Sequence, residues 1–328
     1  MAALLSVDDL RVTLNTARGP AEALRGITFS VARGETVGLV GESGCGKSLT
    51  ALAVMGLLPQ GAATRGSIRF DAQELVGLDD AALCALRGNR IAMIFQEPMT
   101  ALNPLHTIAD QVAEPLRRHR RMGRAQARAE ALRLLDRVQL ANAAQRLDAY
   151  PHQLSGGQRQ RVTIAMALAC GPDLLIADEP TTALDVTIQG QILDLVADLV
   201  QERGMALLLI SHDLGVIAEN VARMLVMYGG SVVESGPTEG VFARRAHPYT
   251  QGLFAARPRL GAVRGTRLAT IAGSVPELAD LPSGCPFTER CKLAVAACRT
   301  TPPPPVELGD GHEARCLRIE EALAAQTA

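Results

Sequence analysis

The stretch GESGCGKS, residues 41 to 48, matches the pattern G-x-x-x-x-G-K-[ST] at the required spacing. Before it, Thr36 to Val40 is a short apolar run with strand character; after it, Leu49 to Leu58 is apolar and stops at Pro59, as a helix would. Glycines allow a backbone to turn several N–H groups toward one anion, and a helix N-terminus favours negative charge at the same place. The stretch therefore predicts a phosphate-binding loop between a strand and a helix.

The residues of this loop have separate predicted roles. Lys47 is expected to reach the β- and γ-phosphates of a nucleotide, and Ser48 to ligate Mg²⁺. The residues expected to surround the phosphates are Gly41, Glu42, Ser43, Gly44, Cys45, Gly46, Lys47, Ser48 and Leu49. The alternative, a glycine-rich turn without a ligand, is disfavoured by the flanking strand and helix.

A second apolar strand, Leu174 to Ile176, leads to two acidic residues, Asp178 and Glu179. Acidic residues at the C-terminal edge of a parallel strand lie where such sheets bind ligands. Asp178 is the expected partner of Mg²⁺, and Glu179 is placed to polarise the water that attacks the γ-phosphate. Gln96 and His212 are the polar groups expected to complete the shell around that phosphate. The sequence thus predicts nucleotide hydrolysis, with Glu179, His212 and Gln96 as its catalytic residues.

Five motifs follow one another in a fixed order: GESGCGKS, FQEP (Phe95 to Pro98), LSGGQ (Leu154 to Gln158), LLIADE (Leu174 to Glu179) and SHD (Ser211 to Asp213). LSGGQ is absent from P-loop kinases and small GTPases, and with it the chain resembles the ABC-type ATPases. That resemblance implies ATP as the nucleotide and Gln96 as a further Mg²⁺ ligand. It also implies that Ser155, Gly156, Gly157 and Gln158 face the ATP held by a second ATPase subunit.

Longer stretches narrow the resemblance to the ATPase subunits of dipeptide and oligopeptide importers: IFQEPMTALNP (Ile94 to Pro104), YPHQ (Tyr150 to Gln153), HPYT (His247 to Thr250) and a tail that contains cysteines. This resemblance implies a second ATPase subunit in a heterodimer, two transmembrane permease subunits and an extracytoplasmic peptide-binding protein. It places the chain peripherally on the cytoplasmic face of the inner (cell) membrane.

Two other functions are weighed against peptide import. Import of nickel or another small solute by the same ATP-driven mechanism remains an alternative, because nothing in this chain contacts the cargo. A non-transport ABC ATPase acting on DNA or ribosomes would call for a long coiled coil or two tandem ATPase units, and the sequence has neither.

Bulk composition excludes further classes. The net charge is −1, aromatic residues make up 3% and there is no Trp, so the sequence offers neither the charge nor the stacking surface of a nucleic-acid-binding protein. The start MAALLSVDDL has no basic region, so it is not expected to be a signal peptide. No apolar run approaches the roughly 18 residues that span a bilayer, so a soluble chain is expected.

The 328 residues are expected to form an ATPase domain over 1–240 and a C-terminal extension over 241–328. The fold class is α/β: a RecA-like P-loop NTPase core with an antiparallel β subdomain formed by residues 1 to about 35 and by Ser67 to Phe70. A helical subdomain carrying the signature is expected over about 97–168. Pro302 to Pro305 form a stiff stretch in the Cys-rich extension.

Four of the seven cysteines, Cys285, Cys291, Cys298 and Cys316, lie near the C-terminus with 5, 6 and 17 residues between them. Four thiols in a Pro-rich segment with little apolar content suggest a metal in place of a core. Zinc sites usually contain a C-x₂₋₄-C pair, which is absent here, whereas a [4Fe-4S] cluster needs four thiolates without such pairs. The resemblance to importer subunits favours a [4Fe-4S] cluster, with zinc and plain thiols as alternatives. Similar importer subunits carry a matching C-x₅-C-x₆-C pattern.

One position departs from the family pattern. Leu14 stands where ABC ATPases usually place an aromatic residue that stacks on adenine. Loss of that stacking is expected to weaken ATP affinity or base selectivity and to leave hydrolysis intact.

Overall fold

The computed structural model describes residues 3–182, 184–257 and 270–327. Ala183, in the stretch TTALD, and residues 258–269 of the expected extension lie outside the described residues.

The strands follow one another along most of the chain. They are β1 (Ala3–Thr16), β2 (Gly19–Ala32), β3 (Thr36–Val40), β4 (Ala63–Phe70), β5 (Gln73–Glu74), β6 (Ile91–Ile94), β7 (Leu174–Asp178), β8 (Ala206–Ser211), β9 (Arg223–Tyr228), β10 (Ser231–Pro237), β11 (Val306–Glu307) and β12 (Glu313–Ala314).

The helices alternate with these strands. They are α1 (Lys47–Met55), α2 (Asp80–Leu86), α3 (Pro98–Ala101), α4 (Ile108–His119), α5 (Arg124–Arg137), α6 (Ala143–Arg146), α7 (Gly156–Leu168), α8 (Val186–Arg203), α9 (Leu214–Asn220), α10 (Thr238–Ala243), α11 (Pro248–Ala256), α12 (Ala297–Thr300) and α13 (Ile319–Thr327). Three short 3₁₀ helices lie at Pro151–Gln153, Leu278–Asp280 and Thr288–Arg290.

The chain divides into two compact units. The first comprises residues 1–5, 31–36 and 70–210, and the second comprises residues 6–30, 37–69 and 211–328.

The first unit contains three parallel strands in the order β8-β7-β6. Leu174 lies opposite Ile91 on one side and Ala206 on the other, and every residue of the three strands that belongs to this unit is buried. Continuous apolar strands of this kind are typical of parallel sheets covered on both faces. Between β6 and β7 the regular elements are the helices α3 to α7 and the 3₁₀ helix Pro151–Gln153, joined by loops.

Helix α4 shows how local sequence sets the bounds of these helices. The Thr107 hydroxyl caps its first turn by accepting the N–H of Asp110, which is itself an acidic first-turn residue. Arg117, Arg118 and His119 fill its last turn, where positive charge complements the helix dipole.

The second unit contains a mixed sheet in the order β3-β9-β10-β12-β11. Strand β3 runs parallel to β9, while the β9–β10, β10–β12 and β11–β12 pairs are antiparallel. Strands β1 and β2 form a hairpin across Ala17 and Arg18, and most of this hairpin belongs to the same unit. The predicted α/β fold is confirmed, and the structure shows that its larger sheet is mixed.

The first helix is shorter than its apolar run. The expected helix reached Leu58, whereas α1 ends at Met55 because Gly56 adopts a left-handed conformation with φ of 63°. The Gly56 N–H then donates to carbonyls of the last turn, which closes the helix before Pro59 is reached.

Glu234 in β10 joins the C-terminal segment to the sheet of the second unit. Its buried carboxylate accepts the backbone N–H groups of Ala246 (2.7 Å) and His247 (2.9 Å) and lies 2.8 Å from Nε2 of His312. A buried carboxylate needs such partners, and here they place HPYT at the start of α11.

None of the helices in the described ranges combines the length and apolar character that crossing a bilayer demands.

Candidate nucleotide site

The loop between β3 and α1 requires its glycines. Gly44 and Gly46 have φ of +80° and +105°, which glycine adopts without strain. A Cβ on Gly41 would lie 2.3 Å from the carbonyl oxygen of Met227, and one on Gly46 would lie 2.7 Å from Cδ2 of Leu24. The loop therefore has the tight backbone that the motif predicts.

Lys47 lies at the centre of this loop. It is 5% exposed, and its ammonium donates hydrogen bonds to the carbonyl oxygens of Gly41 (2.8 Å) and Glu42 (3.0 Å). Ser48 follows it as the second residue of α1 and is half-buried. The loop holds one buried cation at a helix N-terminus, an arrangement that attracts phosphate.

Cys45 is a buried residue of the same loop. Burial raises the pKa of its thiol, so the group is neutral at physiological pH. It fills space between Gly41 and Lys47 and is not an activated nucleophile.

Two acidic residues end strand β7 of the first unit. Asp178 is the last residue of the strand and is 4% exposed. Glu179 follows with φ of +45°, an unusual value for a residue with a side chain, and its N–H donates to the Ile210 carbonyl at 3.0 Å. Strained backbone of this kind is often found at functional sites.

Gln96 and Glu179, two of the predicted catalytic residues, lie within hydrogen-bond distance of each other. The Gln96 amide donates to Oε2 of Glu179 at 3.0 Å, and the Thr182 hydroxyl donates to the same oxygen at 2.8 Å. The carboxylate is thus oriented by two donors. Thr182 was not among the expected site residues; it lies in the stretch TTALD (Thr181 to Asp185), which follows the acidic strand.

The signature residues Ser155, Gly156, Gly157 and Gln158 start helix α7. The Ser155 hydroxyl accepts the N–H of Gln158 (3.4 Å), and the Gln158 side chain accepts the N–H of Ser155 (3.0 Å). This capping box orders the first turn, and a Cβ on Gly157 would lie 3.1 Å from the Ile188 side chain. The signature therefore presents a helix N-terminus of the kind that binds phosphate.

His212 and Leu14 lie in other elements. His212 follows β8 and is exposed, just before Asp213, which caps α9. Leu14 lies in β1 and is half-buried.

Sequence reasoning missed two residues that hold Glu42 of the phosphate loop. The Glu42 N–H donates to the Tyr249 hydroxyl at 2.8 Å, and its carboxylate accepts from Arg290 at 2.6 and 3.1 Å. Tyr249 belongs to the HPYT motif, which points to the family without revealing this contact. Nothing in the sequence around Arg290 marks it.

The four C-terminal cysteines line one small cavity: Cys285, Cys291, Cys298 and Cys316. All four are free thiols, and burial, reinforced by the neighbouring thiols, raises the pKa of Cys285 and of Cys316 to about 11. Among the described residues, no group of three or more His, Cys, Asp or Glu side chains is arranged to hold a metal ion.

His247 lines the same cavity. Its Nδ1 accepts the N–H of Tyr249 at 3.1 Å, and burial lowers its pKa to about 4. The ring is therefore neutral at pH 7 and carries its proton on Nε2. That buried nitrogen has no hydrogen-bond partner within the described ranges.

Comparison with known sequences gives two family matches. The ABC transporter model matches residues 24–182, and the model described as the C-terminal region of oligopeptide/dipeptide transporters matches residues 233–298.

Curated relatives match along nearly the whole chain. A putative peptide import ATP-binding protein of Brucella abortus is 50% identical over 333 residues, which cover 98% of each chain. The dipeptide transport ATP-binding protein DppD of Bacillus subtilis is 46% identical, with 96% of this chain and 95% of that one covered. The oligopeptide transport ATP-binding protein OppD of Mycobacterium tuberculosis is 50% identical over 98% of this chain. The matched region makes up 52% of OppD.

Solved structures share the fold. The dimeric ATP-binding cassette MJ0796, in a post-hydrolysis state with ADP and Pi, superposes with a TM-score of 0.64 at 30% identity, over 71% of this chain and 98% of that one. CbiO1 of Clostridium perfringens, part of the ABC transporter complex cbiONQ, superposes with a TM-score of 0.62 at 27% identity. The match covers 75% of this chain and 92% of that one.

Proposed function

This chain belongs to the ABC transporter family, and from that premise we propose that it is the ATP-binding and ATP-hydrolysing subunit of an importer of short peptides. The observation that carries the proposal is identity of about half the residues, over almost the full length, to peptide import ATP-binding proteins. The match of its C-terminal region to oligopeptide/dipeptide transporters supports the same cargo class.

The proposed chemistry assigns one task to each group. Lys47 neutralises the phosphates as charge develops, and Ser48 and Asp178 supply the oxygen ligands that Mg²⁺ prefers. Glu179 accepts a proton from the attacking water, with Gln96 and Thr182 orienting its carboxylate. His212 contacts the γ-phosphate.

The proposed partners follow from the signature and from a groove in the first unit. Ser155 to Gln158 bind the ATP of a second, non-identical ATPase subunit. A groove of about 870 Å³, lined by residues that include Asn103, Asp110 and Glu114, receives a short helix of a transmembrane permease subunit. Leu105, which is 82% exposed, lies in the loop between α3 and α4 together with Asn103 and offers an apolar contact to the permease helix. A peptide-binding protein outside the cell completes the importer, with this chain on the cytoplasmic face.

Assembly is the direct test. Because each ATP is proposed to lie between two ATPase subunits, the purified chain at low concentration is expected to hydrolyse ATP slowly. Turnover should rise when permeases, second ATPase subunit and binding protein are reconstituted in vesicles and a short peptide is added. Stimulation by nickel in place of peptide would support the alternative cargo, and full peptide-coupled turnover by the dilute chain alone would refute the shared site.

We further propose that Cys285, Cys291, Cys298 and Cys316 hold a [4Fe-4S] cluster, with zinc as the alternative. The proposal is supported by four free thiols that line one cavity. Bound there, the cluster would order a Pro-rich segment that has little core of its own. The cavity is small, about 10 Å³. Metal analysis of the purified protein distinguishes a [4Fe-4S] cluster from a zinc ion.

Protein purified without oxygen is expected to be brown and to contain about four iron and four sulfide per chain. Cys298→Ser should bleach it, because the cluster loses one thiolate, whereas Cys84→Ser in α2 should leave colour and iron content unchanged. Stoichiometric zinc, or absence of metal with all four thiols open to alkylation in the native protein, would refute the cluster.

A further inference from the structure

Arg290, which is buried, forms an ion pair with the partly exposed Glu42 of the phosphate loop. Its side chain is 5% exposed, and two of its nitrogens bind the two carboxylate oxygens of Glu42 at 2.6 and 3.1 Å. The guanidinium carbon lies 5.7 Å from the centre of the Tyr228 ring and 6.0 Å from that of Phe287. Bidentate contact and two aromatic rings hold Arg290 in one position.

The cysteine segment sets that position. Arg290 ends the short helix Thr288–Arg290 and directly precedes Cys291. The Thr288 hydroxyl lies 2.7 Å from the carbonyl oxygen of Cys285 and 2.9 Å from that of Cys298. The backbone of the cysteine segment therefore anchors the helix that carries Arg290.

Glu42 is held at each of its polar groups. Its N–H donates to Tyr249, its carbonyl accepts from Lys47 and its carboxylate accepts from Arg290. A carboxylate in a triphosphate-binding loop repels its ligand, and partly buried charges are poorly screened by salt. The Arg290 guanidinium places a compensating positive charge on the Glu42 carboxylate.

We propose that Arg290 is a positioning residue of the nucleotide site, through which the four-cysteine segment controls the affinity of the phosphate loop for MgATP. The inference rests on the proposed binding of ATP by this loop and does not depend on which metal the cysteines hold. The Tyr249 hydroxyl binds the backbone N–H of Glu42, so Tyr249 and Arg290 both hold Glu42 of the phosphate loop.

The test is a charge-compensation experiment on the full chain, with MgATP affinity measured by calorimetry. Arg290→Gln is expected to weaken binding about tenfold, because the Glu42 carboxylate is left uncompensated. Adding Glu42→Gln to that variant should restore affinity to within about threefold of wild type, since the repelling charge is then gone. In the reconstituted transporter, Arg290→Gln should raise KM for ATP and leave kcat nearly unchanged.

Arg299→Gln is the matched control, because Arg299 pairs with Glu289 in the same segment and is largely exposed. It should leave MgATP affinity unchanged. Wild-type affinity in Arg290→Gln would overturn the proposal, and so would a loss that Glu42→Gln does not restore, since general disruption of the segment would then explain it. A wild-type chain that fails to bind MgATP would instead overturn the proposed function.

Discussion

Replacing Glu179 by glutamine is expected to slow ATP hydrolysis by about a hundredfold to ten-thousandfold, the usual contribution of a general base, while ATP still binds. The amide has the same shape but does not take the proton from water. One of its two polar groups can still accept from Gln96 and Thr182, as Oε2 of Glu179 does now at 3.0 and 2.8 Å. Single-turnover hydrolysis in the reconstituted transporter, with nucleotide affinity measured in parallel, separates the two effects.

The same variant should accumulate the closed ATPase dimer, because ATP stays bound between the subunits. Glu202→Gln is a suitable control, since Glu202 is a mostly exposed partner of Arg137 in the same unit. It should hydrolyse ATP at the wild-type rate. A normal rate for Glu179→Gln in the assembled transporter would mean that another group serves as the base.

Replacing Lys47 by alanine should have a different effect, because this change weakens the binding of MgATP itself. The hydrogen bonds of a buried ammonium to phosphate are each worth roughly 1.5–3 kcal/mol, so affinity for MgATP is expected to fall about ten- to hundredfold. The loop should keep its fold, since its glycines determine the backbone. Calorimetry with MgATP measures the loss.

Lys47 and Lys292 are the two lysines of the sequence. Lys292 is exposed, so Lys292→Ala tests whether any loss of positive charge weakens binding. Equal losses in the two variants would argue against a specific role of Lys47 and for a general electrostatic effect.

Local patterns predicted the elements that carry the site. The run Thr36 to Val40 is a strand, and the glycines after it adopt the positive φ that the motif requires. The strand before Asp178 is buried throughout. The resemblance to peptide-importer ATPases is confirmed by relatives that match nearly the full chain. These features depend on residues close together in sequence, so their conformations can be read from it.

Other contacts became visible only in the folded chain. Tyr249 reaches Glu42 across 207 positions and Arg290 across 248. In the sequence the four C-terminal cysteines lie outside the five ATPase motifs. The structure brings Arg290, the residue before Cys291, into contact with Glu42 of the phosphate loop.

By itself, the sequence determined the phosphate loop, the acidic strand, the signature helix and the family, because each rests on residue types at short, fixed spacing. Only the tertiary structure decided that Gln96 and Thr182 share one oxygen of Glu179, that four thiols and His247 line one cavity, and that Arg290 neutralises Glu42. The physical reason is that an arginine, a tyrosine or a threonine can pair with many partners. Packing of distant elements selects one of them, and that selection leaves no local pattern in the sequence.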